Sequence, residues 1–201
     1  LPLGVPELDR VLGGGAVPGS IILLGGEPGI GKSTLLLQAA AGIALAGGRV
    51  LYASGEESAA QIADRAERLG LMATVAADTV EILAESEVGA IAEATQSGRP
   101  TLLIVDSIQT ATLAELEGPA GSVGQVRGSA EILASVARAT GAAVILVGHV
   151  TKEGSIAGPK TLEHLVDAVI MLDGDRHGTL RTLRAAKNRF GSTDELGLLV
   201  V

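Results

Sequence analysis

The sequence contains no cysteine and no tryptophan, and its only tyrosine and phenylalanine are Tyr52 and Phe190. Without cysteine it can build neither a disulfide framework nor a thiolate zinc site. Two aromatics cannot form the stacking platform on which single-strand-binding modules hold bases. Apolar residues make up 47% of the chain, yet none of its apolar runs approaches the ~18 residues that a membrane-spanning helix requires. The longest such run, from Ala39 to Gly48, is far too short. No positively charged leader with a small-residue cleavage site opens the chain, and its first residue is Leu1 rather than Met. The expectation is a soluble, cytoplasmic domain with no membrane partner, cut from something longer. Its 201 residues suit one α/β domain with a substantial core.

Positive charge is also scarce. The formal net charge is −8, which on its face argues against a nucleic-acid partner. The distribution alters that reading. Residues 1–126 carry 6 basic and 15 acidic side chains, whereas residues 127–189 carry 9 basic and 6 acidic. A local positive surface in the last third remains open, and its DNA contacts would go mainly to phosphates.

Glycine is plentiful where it matters most. The stretch Gly26-Glu27-Pro28-Gly29-Ile30-Gly31-Lys32-Ser33, continued by Thr34, fits the phosphate-binding pattern G-x-x-x-x-G-K-[ST]. An apolar run, Ile21 to Leu24, precedes it as a strand, and a helix from Thr34 to Ala46 follows. Gly29 and Gly31 let the backbone N–H groups turn inward, and the helix N-terminus adds about half a positive charge. Lys32 can reach the β- and γ-phosphates, and the Ser33 hydroxyl suits Mg²⁺. Strand, loop, Lys-Ser pair and helix together point to a nucleoside triphosphate, ATP (or ADP as product), with Mg²⁺.

Further strands are expected at Val50–Ala53, Val80–Ala84, Leu102–Asp106, Ala143–Val147, Asp167–Leu172, Thr179–Ala186 and Glu195–Val201. Helices are expected after Ser58, from a Ser86 cap to about Thr95, and from Val126 to Thr140, with flexible loops at 117–124 and 149–160. Strands alternating with helices, followed by a strand-only tail, predict a mostly parallel twisted sheet flanked by helices, with an antiparallel extension at the carboxyl-terminal end.

Four places on this framework carry candidate chemistry. Asp106, at the carboxyl end of an apolar strand, is placed either as a Walker-B acid holding Mg²⁺ or as a strand-end cap. Glu56 and Glu57 follow another strand; either can orient and deprotonate water beside the γ-phosphate, or serve as a solvated helix-start acid. His149 ends a strand at the same edge and is either a γ-phosphate sensor or a structural histidine. Lys187 and Arg189 share one face by period-2 geometry, suiting either a phosphate clamp reaching a neighbour's site or a charge-protected edge strand.

The segments LDRVLGGG (8–15), GEPGIGKSTLLL (26–37), SGEES (54–58), DSIQT (106–110), GSVGQVR (121–127), GHVTKEG (148–154), IAGP (156–159) and KNRFG (187–191) run collinearly along the chain. Together they resemble the bacterial RadA (Sms) family of RecA-like P-loop ATPases in recombination and DNA repair. The resemblance implies a RecA-like core over 1–201 that assembles into hexameric rings. It implies ATP hydrolysis coupled to movement on single-stranded DNA and branch migration of recombination intermediates. It places the catalytic glutamate on Glu56 and makes Lys187 and Arg189 a trans-acting element. The loops near 118–127 and 150–160 become DNA-facing, with Gln125, Arg127, Lys152 and Lys160 as contacts. Neither the family's four-cysteine zinc module nor its Lon-protease-like domain lies within these 201 residues, so the expectation is the ATPase core alone, and Gly124 and Gly128 replace larger residues, which would loosen the DNA loop. Two rival readings are a signalling ATPase of the KaiC type, which would not be expected to show KNRFG, and a slowly hydrolysing nucleotide-binding interaction module.

Overall fold

The structure, a computed structural model, describes residues 1–71, 79–150, 159–174 and 178–200. Six strands are parallel: β1 (Ile21–Gly26), β2 (Val50–Ser54), β3 (Val80–Ala84), β4 (Leu102–Asp106), β5 (Ala143–His149) and β6 (Ala168–Gly174). Two more, β7 (Leu180–Asn188) and β8 (Leu196–Val200), continue the sheet antiparallel. The order across it is β3-β2-β4-β5-β1-β6-β7-β8. This is the expected mostly parallel sheet with an antiparallel tail.

The central strands are apolar on both faces because both faces are covered. On one side Ile22, Leu24, Tyr52, Ile104 and Ile145 pack with Leu8 of α1 (Pro6–Val11) and with Leu36 and Ile43 of α2 (Lys32–Leu45). The alternate residues Ile21, Leu23, Leu51, Leu103 and Val144 meet Ile91 of α4 (Val88–Gly98) and Leu133 of α5 (Val123–Thr140) on the other. Full burial of one such aliphatic side chain contributes ~1.5–3 kcal/mol. The sheet is thus clamped between two apolar layers, and its strand ends are free to carry chemistry.

Helix starts depart from expectation in three places. The carboxylate of Glu87, not Ser86, accepts the N–H groups of Gly89 and Ala90 and caps α4. Ser122 accepts from the Gln125 N–H, so α5 begins at Val123, three residues before the expected Val126. Gly124 and Gly128 consequently lie inside α5 and do not loosen a loop. At Gly128 a Cβ would stand 2.5 Å from Leu116 Cδ1, so the glycine lets the preceding segment lie against the helix. A short helix, α6 (Pro159–Leu162), occupies the end of the expected 149–160 loop. In α3 (Ala59–Arg68) Ser58 and Gln61 form a reciprocal capping box, which fixes the helix that follows the two glutamates.

Candidate functional site

Register brings four strand ends together. Gly26 of β1 lies opposite His149 of β5, and Ser54 of β2 lies opposite Asp106 of β4, with β4 and β5 also paired. The carboxyl edge therefore presents, side by side, the ends of β2, β4, β5 and β1. Ligands bind at this edge in open α/β sheets.

The loop from Gly26 to Gly31 turns through left-handed backbone at Gly29 (φ 78°) and Gly31 (φ 114°), where an L side chain would be strained. It then enters α2 at Lys32, so the first N–H groups of a 14-residue helix face the loop. Lys32 is buried, and its Nζ donates to the carbonyls of Gly26 (2.8 Å) and Glu27 (2.9 Å). Burial lowers its pKa, against the raising influence of Asp106 and Glu56. Behind the loop the Ile30 carbonyl accepts from Arg181 Nε at 3.3 Å, so a buried arginine on β7 braces it. Pro28 is exposed at the loop's rim, and Ser33 and Thr34 border a cleft of about 210 Å³ together with Arg65 and His149.

The segment after β4 organises the acids. Tyr52 donates its hydroxyl to Asp106 Oδ2 at 2.7 Å and also meets Ser33. Burial, followed by the Asp106 charge, pushes the Tyr52 phenol far above its ordinary pKa, so it stays a donor. Ser107 donates to Glu56 Oε1 at 2.7 Å, and His149 Nε2 lies 3.1 Å from the same oxygen. Burial would raise the Glu56 pKa, but these two hydrogen bonds and the His149 and Lys32 charges outweigh it and hold the carboxyl below the ordinary range. Gln109 clamps the His149 backbone: its carbonyl accepts the His149 N–H at 3.2 Å, and its amide donates to the His149 carbonyl at 3.3 Å. Gly55 lets Thr110 close the group, since a Cβ there would stand 2.6 Å from Thr110 Oγ1. Glu57 turns away from this cluster and pairs with Arg65. The two adjacent glutamates thus have different partners, and Glu56 is the one beside Lys32 and His149.

Lys187 and Arg189 lie away from this cluster. Asn188 is opposite Ala168, and Ala168 opposite Ile22, so the end of β7 sits at the amino edge of the parallel strands. The chain's own P-loop leaves the other edge, where Gly26 meets Leu172, about 13 Å further along β6. Lys187 Nζ donates to the carbonyls of Glu163 and Val166, while Arg189 pairs with Asp167 at 2.9 Å. The Arg189 side chain remains 60% exposed.

The DNA candidates divide. Gln125 is 2% exposed, and its amide is spent on Leu113, Leu116 and Gly118 of the preceding segment. That corrects the expected DNA contact: Gln125 ties a loop to α5. Arg127 is exposed on α5 and paired with Glu131 at 3.0 Å, and Lys160 is exposed on α6. Lys152 lies outside the described residues, as does most of the second loop.

Among the described residues no cluster of three or more His, Cys, Asp or Glu could hold a metal alone. Ser33 and Asp106, brought together at Tyr52, are oxygen donors of the kind Mg²⁺ uses when nucleotide phosphates and water complete its shell. The residues present fit that cation.

Sequence reading missed Tyr52, Arg65, Ser107, Gln109 and Arg181. A single tyrosine inside an apolar strand was a signal for the first, because a buried phenol needs a partner. The others are set by contacts between distant segments.

Comparison with known proteins agrees with this geometry. A model of the AAA domain family matches residues 4–155. The chain is 52% identical over 200 residues to the DNA repair protein RadA of Mycobacterium tuberculosis (strain H37Rv), covering 100% of the chain and 41% of that protein. It is 54% identical over 192 residues to RadA of Halalkalibacterium halodurans, covering 96% of the chain and 41% of that protein. The chain thus spans about two fifths of the length of these curated relatives. Among solved structures it is similar to an ATPase domain, with TM-score 0.81, 17% identity, and coverage of 98% of this chain and 85% of that one. A DnaB-like replicative helicase, described with its interactions with primase, matches at TM-score 0.80 and 17% identity, over 98% of this chain and 58% of that one. These likenesses establish a RecA-like P-loop NTPase fold. No described helix is long and apolar enough to cross a membrane. With three quarters of its length matched and the similarity to bacterial RadA running from end to end, the chain belongs to the AAA domain family.

Proposed function

We propose that residues 1–201 form one ATPase domain, the motor core of a cytoplasmic DNA-repair machine. It hydrolyses ATP with Mg²⁺ to move on single-stranded DNA and promote branch migration of recombination intermediates, working as a homo-oligomer of hexameric-ring type. The observation that carries this reading is the carboxyl edge: phosphate loop, Asp106, Glu56 and His149 lie on adjacent strand ends. In this reading the N–H groups of 26–34 and Lys32 hold the phosphates. Ser33 and Asp106 hold Mg²⁺, which when bound supplies charge neutralisation to the phosphates. Glu56, fixed by Ser107 and His149, orients and deprotonates the attacking water. His149 bridges Glu56 and, through Gln109, the segment after Asp106, so a change at the γ-phosphate has a route towards the loop that follows β5.

ATPase rates with and without single-stranded DNA test the proposal and separate it from its rivals. DNA should stimulate turnover; Lys32→Ala should abolish tight triphosphate binding, because backbone donors cannot replace the ammonium's charge-assisted contact. Titration with a fluorescent ATP analogue measures that loss, and unchanged affinity would remove the loop from the site.

DNA binding should depend steeply on salt and hardly on sequence, since its contacts go to phosphate. Removing Arg127 should reduce the slope of log affinity against log salt by about one. The competing Arg127–Glu131 pair is an exposed one, which binds weakly and leaves the guanidinium available. A strong preference among sequences of equal length would contradict the phosphate reading.

A further inference from the structure

Arg65 occupies a place that the nucleotide reading has not used. It projects from α3, whose start is fixed by the Ser58–Gln61 capping box, and lines the cleft with Gly31, Lys32, Ser33 and His149. It is the only cation from outside the phosphate loop and β5 among the described residues lining that cleft. Its ion pair with Glu57 engages one terminal amine of the guanidinium, and among the described residues its other N–H groups make no hydrogen bond. Glu57 and Arg65 are each about one-quarter to one-third exposed, 32% and 26% for the side chains. A partly exposed ion pair adds little stability by itself. What it does supply is an anchor: Glu57 leaves the end of β2 beside Glu56, and its carboxylate ties the guanidinium of α3 to that strand end while Arg65 borders the cleft. The His149 wall of the cleft is also the wall of Glu56, the carboxylate beside the γ-phosphate in the proposed reaction.

We infer that Arg65 binds the γ-phosphate end of the nucleotide within its own subunit, and that Glu57 is the positioning residue that holds the guanidinium there. The inference rests on the nucleotide reading of the cleft and deepens it. A planar guanidinium can hold a carboxylate with one edge and phosphate oxygens with another, which an ammonium cannot do. Two cations then meet the polyphosphate from different elements, Lys32 from the loop and α2, Arg65 from α3. The arrangement also explains why two adjacent glutamates stand at the end of β2: one faces the water, and its neighbour aims a cation.

The test is calorimetric titration of the intact chain with Mg²⁺ and either β,γ-imido-ATP or ADP. Arg65→Ala should weaken binding of the triphosphate analogue about tenfold to a hundredfold, the range expected when a hydrogen bond to a charged group is lost. ADP affinity should change far less. Arg65→Lys should recover only part of the loss, and Arg65→Gln, which keeps the packed stem, guards against a folding defect. Glu57→Gln should show a smaller loss of the same kind, and the Glu57→Gln/Arg65→Ala double variant should bind no worse than Arg65→Ala alone. If Arg65→Ala and Arg65→Gln bind both nucleotides like the parent, or lose both to the same degree, Arg65 does not read the γ-phosphate. Additive losses in the double variant would refute the positioning role of Glu57. A parent chain that binds neither nucleotide would overturn the nucleotide reading itself, and this inference with it.

Discussion

Glu56→Gln protein is expected to bind ATP as tightly as the parent chain and to turn it over about 10²–10⁴-fold more slowly, the usual contribution of general-base help. The amide keeps the size of the side chain and can still accept a hydrogen bond from Ser107, but it cannot take a proton from water. Single-turnover hydrolysis alongside equilibrium binding separates the two effects. Glu57→Gln supplies the comparison: at saturating ATP its loss of turnover should be far smaller than that of Glu56→Gln, because Glu57 faces Arg65 and not His149. An inactive Glu57→Gln with an active Glu56→Gln would exchange the two roles. The pH dependence gives a second check. A general base works when ionised, and the Glu56 carboxyl is held below its ordinary pKa by Ser107 and His149 despite its burial. Activity should therefore persist to lower pH than an ordinary glutamate allows. Ser107→Ala removes one of the lowering bonds, so the acid limb should move to higher pH.

Arg189→Ala protein should lose about 10³–10⁵-fold in turnover if Arg189 acts as a finger on the transition-state charge. Whether it acts in trans is read in a mixture of variants. Asn188 pairs with Ala168 and the Arg189 N–H donates to the Asp167 carbonyl, so Arg189 lies at the amino edge of the sheet, opposite to the edge from which the P-loop leaves. Lys187 is engaged with the carbonyls of Glu163 and Val166, whereas the Arg189 side chain stays largely exposed. Arg189 is thus the better placed to reach a neighbour, with Lys187 fixing the end of its strand. Arg189→Ala retains a working P-loop but no finger; Lys32→Ala retains a finger but no working P-loop. Mixed under conditions of subunit exchange, the two should form interfaces that pair a good site with a good finger, and ATPase activity should exceed that of either alone. A mixture that stays inactive while exchange is independently demonstrated would sink the trans role.

The phosphate loop was readable because everything that defines it lies within nine consecutive residues and their flanking strand and helix. The sheet was readable for a similar reason: buried parallel strands are short apolar runs, and Leu102–Asp106 is recovered residue for residue. The choice between Glu56 and Glu57 was not readable from the residues themselves. It depends on Ser107 and His149, 51 and 93 residues away from Glu56, and on Arg65 of the following helix. The early start of α5 was obscured by Gly124, whose low helix propensity suggested loop, although Ser122 provides the cap. Gln125 was assigned to DNA because the family resemblance makes the stretch 118–127 DNA-facing; the extra helical turn instead buries its amide under Leu113 and Leu116. The period-2 rule applies only as far as Asn188, where β7 ends; Arg189 lies in the turn beyond, although it and Lys187 both engage residues 163–167. It could not say at which edge of the sheet that segment would lie.

The hydrogen bond from Tyr52 to Asp106 gives this chain an optical property. With no tryptophan and one tyrosine, its intrinsic ultraviolet emission comes from a single phenol. That phenol is fully buried, 2.7 Å from the Asp106 carboxylate proposed to hold Mg²⁺ and beside the hydroxyl of Ser33. Tyrosine emission therefore originates within one hydrogen bond of the proposed cation site. Excited beyond the absorption of Phe190, that emission is expected to respond to occupancy of the site in the unlabelled protein, with no tryptophan background to subtract.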